Sequence, residues 1–508
     1  MTKILVNGNL TLSDIVNVAR NGCKAEIPAE VYQRMAVSRN LVDDCVREAR
    51  VVYGITTGFG KFSDVSIAEE DSKKLQKNLI MSHACGVGEP LLPETVRAMM
   101  LLRINSLSVG NSGISRNTID ALLALLNSDV IPYVPSKGSL GASGDLVPLA
   151  HMTLTLLGMG DAFYKGKKMT AKKALALAGL SPIELTAKEG LALINGTQAM
   201  NSFATLNVVD AERLNKIADI CSALTMEAQR AVTDPFDPRI QELRRQQGQI
   251  DTAKNLLTLL NESERITRQG EIRVQDAYTI RCVPQIHGPS KDALSYVKGV
   301  VEREINAVTD NPVIFPETDQ AISGGNFHGQ CLAMALDFLA ISLSELANVS
   351  ERRIERLVNP QLSGLPAFLV KKGGLNSGFM IPQYVAASLV NENKVLSHPA
   401  CVDSITSSAN QEDHVSMGMT AARKAKTIVD NVTNVLAIEL LVACQAIDFG
   451  DKTKKLGKGT AAAYETVRNA VTFMNKDRFI APDIAKCAEL IRNGNILNAV
   501  ENAVGKLL

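Results

Sequence analysis

Three long intervals without glycine or proline constrain this chain most. They are Thr197 to Val232, Gln330 to Val358 and Met419 to Phe449, each about 30 residues or more. A helix over such an interval spans roughly 45–55 Å. Apolar residues recur in them at three- and four-residue spacing, as at Leu332, Leu336, Leu339 and Leu343, or Val429, Val432, Val435 and Leu436. That period predicts helices, and apolar residues on most of the circumference predict buried members of a bundle. A long coiled coil fits less well, because no strict heptad with charged flanks is sustained. The expected fold is mainly α: a bundle of very long helices over 111–508, with a smaller mixed α/β region over 1–110.

Outside these helices lie segments rich in glycine, proline and asparagine: 53–60, 83–90, 138–148, 195–196, 283–289, 323–329 and 397–417. Loops on a rigid helical frame are where chemistry is commonly placed. The composition narrows what that chemistry is. A net charge of +1 over 508 residues predicts no general attraction to nucleic acid or to an anionic membrane. Nine cysteines with no C-x-x-C pair read as reduced thiols of a cytoplasmic protein. The six histidines show no H-E-x-x-H or comparable spacing, so no catalytic metal is expected. The apolar run Val435 to Ile447 contains Glu439 and Gln445 and is too short and too polar to span a bilayer. The N-terminal apolar run is too short for a signal peptide.

The segment Gly138-Ser139-Leu140-Gly141-Ala142-Ser143-Gly144-Asp145 is suited to one unusual reaction. In a tight turn the amide nitrogen of Gly144 reaches the carbonyl carbon of Ala142. Ring closure, with loss of two waters in all, one of them from Ser143, leaves a 4-methylidene-imidazol-5-one. Small residues permit the turn, and glycine reaches backbone angles closed to others. Alone, the tripeptide reads as a surface turn. Other loops carry further groups. Tyr53, in Y-G-I-T-T-G-F-G, can act as a general base where nearby positive charge or donors lower its pKa; its G-x-G is no dinucleotide fingerprint, so no nucleotide is expected. His83 precedes a Gly86–Gly88 pair, and Asn195 precedes Gly196. Gln275, Tyr278 and Arg281 stand together, and Arg281 has the planar fork that grips a carboxylate. Phe327 sits in S-G-G-N-F-H-G, and Glu412 in S-A-N-Q-E-D-H. His151 reads as a satisfied core residue.

The order of these motifs, with S-H-A-C-G-V-G, E-G-L-A-L-I-N-G-T-Q-A, V-Q-D-A-Y-T-I-R-C and D-N-P at 310–312, resembles the methylidene-imidazolone aromatic amino-acid ammonia-lyases almost end to end. The resemblance implies that Ala142, Ser143 and Gly144 become the prosthetic group. It implies that Tyr53 takes part in proton abstraction and that Arg281 holds the substrate carboxylate. Asn195, Gln275 and Tyr278 are implied to orient substrate and prosthetic group, with Phe327 packed beside the electrophile. His83 and Glu412 are implied to contact a substrate imidazole, which points to L-histidine, trans-urocanate and ammonia, the first step of histidine degradation. A tyrosine or phenylalanine ammonia-lyase or aminomutase is the alternative; there, glutamine usually replaces the Glu412 carboxylate. Whether substrate amine or substrate ring meets the electrophile stays open. The resemblance also implies a homotetramer with shared sites and a helical scaffold like that of fumarase and aspartase, although the G-S-S-x-M-P loop of that group is absent.

Overall fold

The computed structural model describes residues 3–508. Twenty α-helices dominate it, with nine strands of two to four residues. The three intervals predicted as long helices form Gln198–Ala228, Gln330–Val358 and Gly418–Phe449. The first stops at Ala228, ahead of Arg230 at φ 49°. By length and composition Gln330–Val358 and Gly418–Phe449 would suffice to cross a membrane. Their most apolar windows are 67% and 83% buried inside the structure, which is how core helices of a bundle behave.

One sequence expectation changes. The 283–289 segment, read as a loop, forms the start of the helix Val283–Glu304, with Pro289 inside it. Pro284 sits in the first turn, where a missing N–H costs nothing. Gly288 is there for close approach: a Cβ on it would stand 2.4 Å from the Gln249 backbone nitrogen.

The chain divides into two compact units. The first comprises 1–206, 298–336 and 399–423, and the second 207–297, 337–398 and 424–508. The expected boundary near residue 110 falls inside the first unit, between the helices Pro93–Ser108 and Arg116–Asn127, which pack together.

In the first unit the helix Pro93–Ser108 is the centre, with every side chain from Thr95 onward buried. Two small sheets bring distant loops together. The strand Val87–Pro90 pairs antiparallel with Pro135–Lys137, Val87 opposite Lys137, so the turn after His83 lies beside the start of the glycine-rich loop at 138. The hairpin Val313–Phe315 with Gln320–Ile322 does the same for Asn311 and the 323–329 loop. His151, expected as a core residue, is only half-buried; its Nε2 accepts the Gly86 N–H, 2.9 Å away.

In the second unit a carboxylate ties the long helices. Glu439 is fully buried. It accepts from Thr225 at 3.0 Å, Ser350 at 2.6 Å, and Arg353 at 2.6 and 2.9 Å. His287 and Asp219, also fully buried, pair at 2.8 Å. The His287 ring is neutral, its pKa lowered by burial, with Nδ1 donating to Asp219 and Nε2 facing the Arg353 guanidinium; a buried ion pair such as Arg353–Glu439 is tolerated only with such hydrogen bonds around it.

Candidate active site

The glycine-rich loop folds into the tight turn that ring closure requires. Gly141 and Gly144 face each other as an antiparallel bridge, with Ala142 and Ser143 at the tip. Gly144 adopts φ 72°, and a Cβ there would lie 2.2 Å from the Gly196 carbonyl oxygen. Gly141, at φ 76°, would place a Cβ 2.1 Å from Ser416 Oγ. A side chain is strained at both points, and at Gly144 it would collide with backbone. The Asp145 N–H donates to Gly196 O at 2.7 Å, and the Asp145 carboxylate accepts the Met200 N–H at 2.7 Å. Burial pushes that carboxyl up to about 7, opposed by the Met200 and Ala199 N–H groups and the Ser139 hydroxyl.

This turn opens on a cavity of about 950 Å³ within the first unit. Tyr53, His83, Ala142, Ser143, Asn195, Phe327 and Glu412 all line it. Ser143 Oγ donates to Glu412 Oε1 at 3.1 Å, and Ser407 Oγ donates to Oε2 at 3.0 Å. The Glu412 carboxylate thus points at Ser143, at the tip of the turn. Its loop is strained: Ser408, Ala409 and Asn410 all take left-handed φ, at 53°, 52° and 69°. Consecutive non-glycine residues in that region cost about 1–2 kcal/mol each, and such strain clusters at functional sites.

His83 ends the helix Glu69–His83. Its Nδ1 faces the Leu79 carbonyl at 2.8 Å, so Nδ1 carries the proton and Nε2 is left as an acceptor. Burial holds the ring below its ordinary value, opposed by the Leu79 bond and by the Glu412 charge. Tyr53 Oη accepts the Gly60 N–H at 3.2 Å. The Asn195 Nδ2 donates to Asn311 O at 3.1 Å, while its Oδ1 is buried with no partner among the described residues.

These residues fit the prosthetic group the sequence implies. Glycines with left-handed φ stand at both ends of the turn, the Ser143 hydroxyl stands at its tip, and Asn195, whose Oδ1 is buried and unpartnered, belongs to the same cavity wall. No group of three or more histidine, cysteine, aspartate or glutamate side chains is placed to hold a metal among the described residues.

Gln275, Tyr278 and Arg281 belong to the second unit and are not among the residues lining this cavity. Tyr278 is 67% exposed. The Arg281 guanidinium lies 4.5 Å over its ring, and Arg281 Nε donates to Asp276 O at 2.9 Å.

Sequence reasoning assigned no role to Asn311, which lines the cavity, although D-N-P was part of the motif series. It also passed over Arg103 and Lys188, both fully buried. The available signal was a charge inside an apolar run, R-A-M-M-L-L-R-I-N, and that pattern does not say what the charge meets.

Residues 10–469 match the family model described as aromatic amino acid lyase. A histidine ammonia-lyase of Alkaliphilus metalliredigens is 58% identical over 508 residues, all of both chains. The solved histidine ammonia-lyase of Trypanosoma cruzi superposes with a TM-score of 0.92 at 43% identity, covering 99% of this chain and 96% of that one. A tyrosine aminomutase of Streptomyces globisporus gives 0.96 at 35% identity, covering all of both chains.

Proposed function

We propose, for a chain that belongs to the aromatic amino acid lyase family, that Ala142-Ser143-Gly144 cyclises and serves the elimination of ammonia from L-histidine. The reaction removes a proton from the substrate β-carbon, breaks the Cα–N bond and leaves the double bond of trans-urocanate. The group formed from residues 142–144 supplies an electrophile that activates the substrate for this elimination.

The remaining roles fall to ordinary side chains. The observation that carries the reading is that His83 and Glu412 open on the same cavity as Ser143 and Tyr53. Both present acceptors: the neutral His83 ring at Nε2, and the Glu412 carboxylate. Once Ser143 has lost its hydroxyl, Glu412 Oε1 no longer has that donor, while Ser407 still holds Oε2. An imidazole ring supplies one N–H donor when neutral and two as its cation for such acceptors, and a phenyl ring supplies none. A site built to hydrogen-bond a substrate rejects an analogue lacking the donors by about 10⁴–10⁵. Tyr53 takes the β-proton, its oxygen held by the Gly60 N–H. Phe327 packs against the reacting region, and the Asn195 Oδ1 receives the substrate or the new ring. Gln275, Tyr278 and Arg281 come from another copy in a cytoplasmic homotetramer, with Arg281 as the carboxylate clamp.

The test is ultraviolet absorbance of the unsaturated acid from L-histidine, L-tyrosine and L-phenylalanine in separate reactions. Urocanate forms from histidine, and the other two acids form far more slowly. Equal turnover of tyrosine, or no urocanate, refutes the reading. Ser143→Ala removes the atoms from which the electrophile is made; full activity in it refutes the cyclised group.

A further inference from the structure

Two fully buried cations stand behind the cavity, and the roles above use neither. Arg103 lies in the helix Pro93–Ser108, and Lys188 precedes the helix Glu189–Ile194; neither has exposed surface. A buried charge is costly unless it is well paired and hydrogen-bonded.

Arg103 directs its guanidinium at one place. Nη1 donates to Asn195 O at 3.0 Å and to Gln198 Oε1 at 2.8 Å, and Nη2 donates to Ala192 O. Ala192 and Asn195 lie at the carbonyl end of the Glu189–Ile194 helix, where a cation is favoured. Gln198 passes the connection on, donating to Thr309 Oγ1 at 2.8 Å. Lys188 Nζ donates to Asp310 Oδ2 at 2.6 Å, and Asp310 Oδ1 accepts the Asn311 N–H at 2.7 Å. Asn311 O then accepts the Asn195 amide.

Asn195 is therefore held at both ends, its main-chain carbonyl by Arg103 and its side-chain amide through Lys188, Asp310 and Asn311. Its neighbour Gly196 is wedged into the same cluster. A Cβ on it would lie 2.5 Å from Arg103 Nη1 and 2.7 Å from Thr309 Oγ1. The Gly196 carbonyl in turn receives Asp145 N–H and lies against Gly144. Burial lowers Arg103 to about 10 and lowers Lys188 as well, while the Asp310 carboxylate opposes both shifts.

We propose that Arg103 and the Lys188–Asp310 pair are positioning residues that fix the Asn195 side chain in the cavity wall and the Gly196 carbonyl against the Gly144 turn. They act on the reaction only through those two groups, and this inference rests on the function proposed above. It distinguishes them from buried charges that merely hold the fold together, such as Arg353 and Glu439.

The experiment is a double-mutant cycle on the full-length protein. Arg103→Lys keeps the charge but loses the fork. Its kcat on L-histidine falls about tenfold, the effect of a charged hydrogen bond, while KM stays within about twofold. In an Asn195→Ala background the same substitution costs less than about twofold more, because its route to the substrate is already gone. Lys188→Met combined with Asp310→Asn removes both charges at similar volume and reproduces the pattern. The mass of the peptide holding residues 138–146 reports the cyclised fraction independently of activity, and kcat is expressed per cyclised site. Melting curves identify any variant that does not fold, and the other then decides. Equal cost in both backgrounds, or unchanged kcat in both variants, overturns the proposal. If the wild type makes no urocanate, the peptide mass decides: a lower cyclised fraction in the variants supports positioning of the turn, and an unchanged one overturns it.

Discussion

Glu412→Gln isolates the charge that selects the substrate. Glutamine has the same shape, so its carbonyl oxygen keeps the Ser407 hydroxyl that now binds Oε2 at 3.0 Å. The other end of the side chain, beside Ser143 at 3.1 Å, becomes an N–H donor. An imidazole N–H that met a carboxylate then meets a donor. Loss of a charged hydrogen bond costs about 1.5–3 kcal/mol, and leaving the buried donor unpaired adds to that. A net loss of about 2–3 kcal/mol lowers kcat/KM for L-histidine roughly 30- to 150-fold. L-phenylalanine makes no such bond, so its kcat/KM stays constant or rises. The assay is the initial rate of urocanate and cinnamate formation over a range of substrate concentrations. An unchanged histidine-to-phenylalanine ratio refutes the assignment of Glu412 to ring recognition.

Gly144→Ala puts a methyl 2.2 Å from the Gly196 carbonyl oxygen. A left-handed alanine costs about 1–2 kcal/mol, and breaking the Asp145–Gly196 bond about 1–3 kcal/mol more, so both the melting temperature and urocanate formation fall; wild-type values in both would refute the fit. His83 has its pKa held below 6.5 by burial, so its contribution to folding is complete above pH 6.5 and is lost as pH falls through the lower folded value. The melting temperature therefore drops less between pH 7.5 and 5 in His83→Gln than in the wild type, with pH values chosen as about one unit or more either side of 6.5. Glu439→Ala leaves Arg353 buried without its carboxylate, which costs about 3–5 kcal/mol and shows as a lower denaturant midpoint.

Much of the fold was legible because the long helices announce themselves. Leu332 to Leu343 repeat at helical spacing, and nothing between 330 and 358 breaks the backbone. The 283–289 segment misled because its proline and glycine look like a turn, whereas Gly288 serves helix contact and Pro284 sits where a helix tolerates proline. Of the candidate site, the sequence singled out Ala142 and Ser143, with Tyr53, His83, Asn195, Phe327 and Glu412, by their local motifs, and the structure puts these on one cavity. Arg103, Lys188 and Asp310 were not. Their meaning lies in partners about 90 to 120 positions away along the chain, and pairing at that range leaves no period or spacing to read.

The central claim is that this chain makes its own electrophile from residues 142–144. It is tested most directly by the mass of the peptide containing residues 138–146, cut from the active protein. The account predicts a mass lower than the sequence requires by two waters. A peptide of full sequence mass, from protein that forms urocanate, would contradict it.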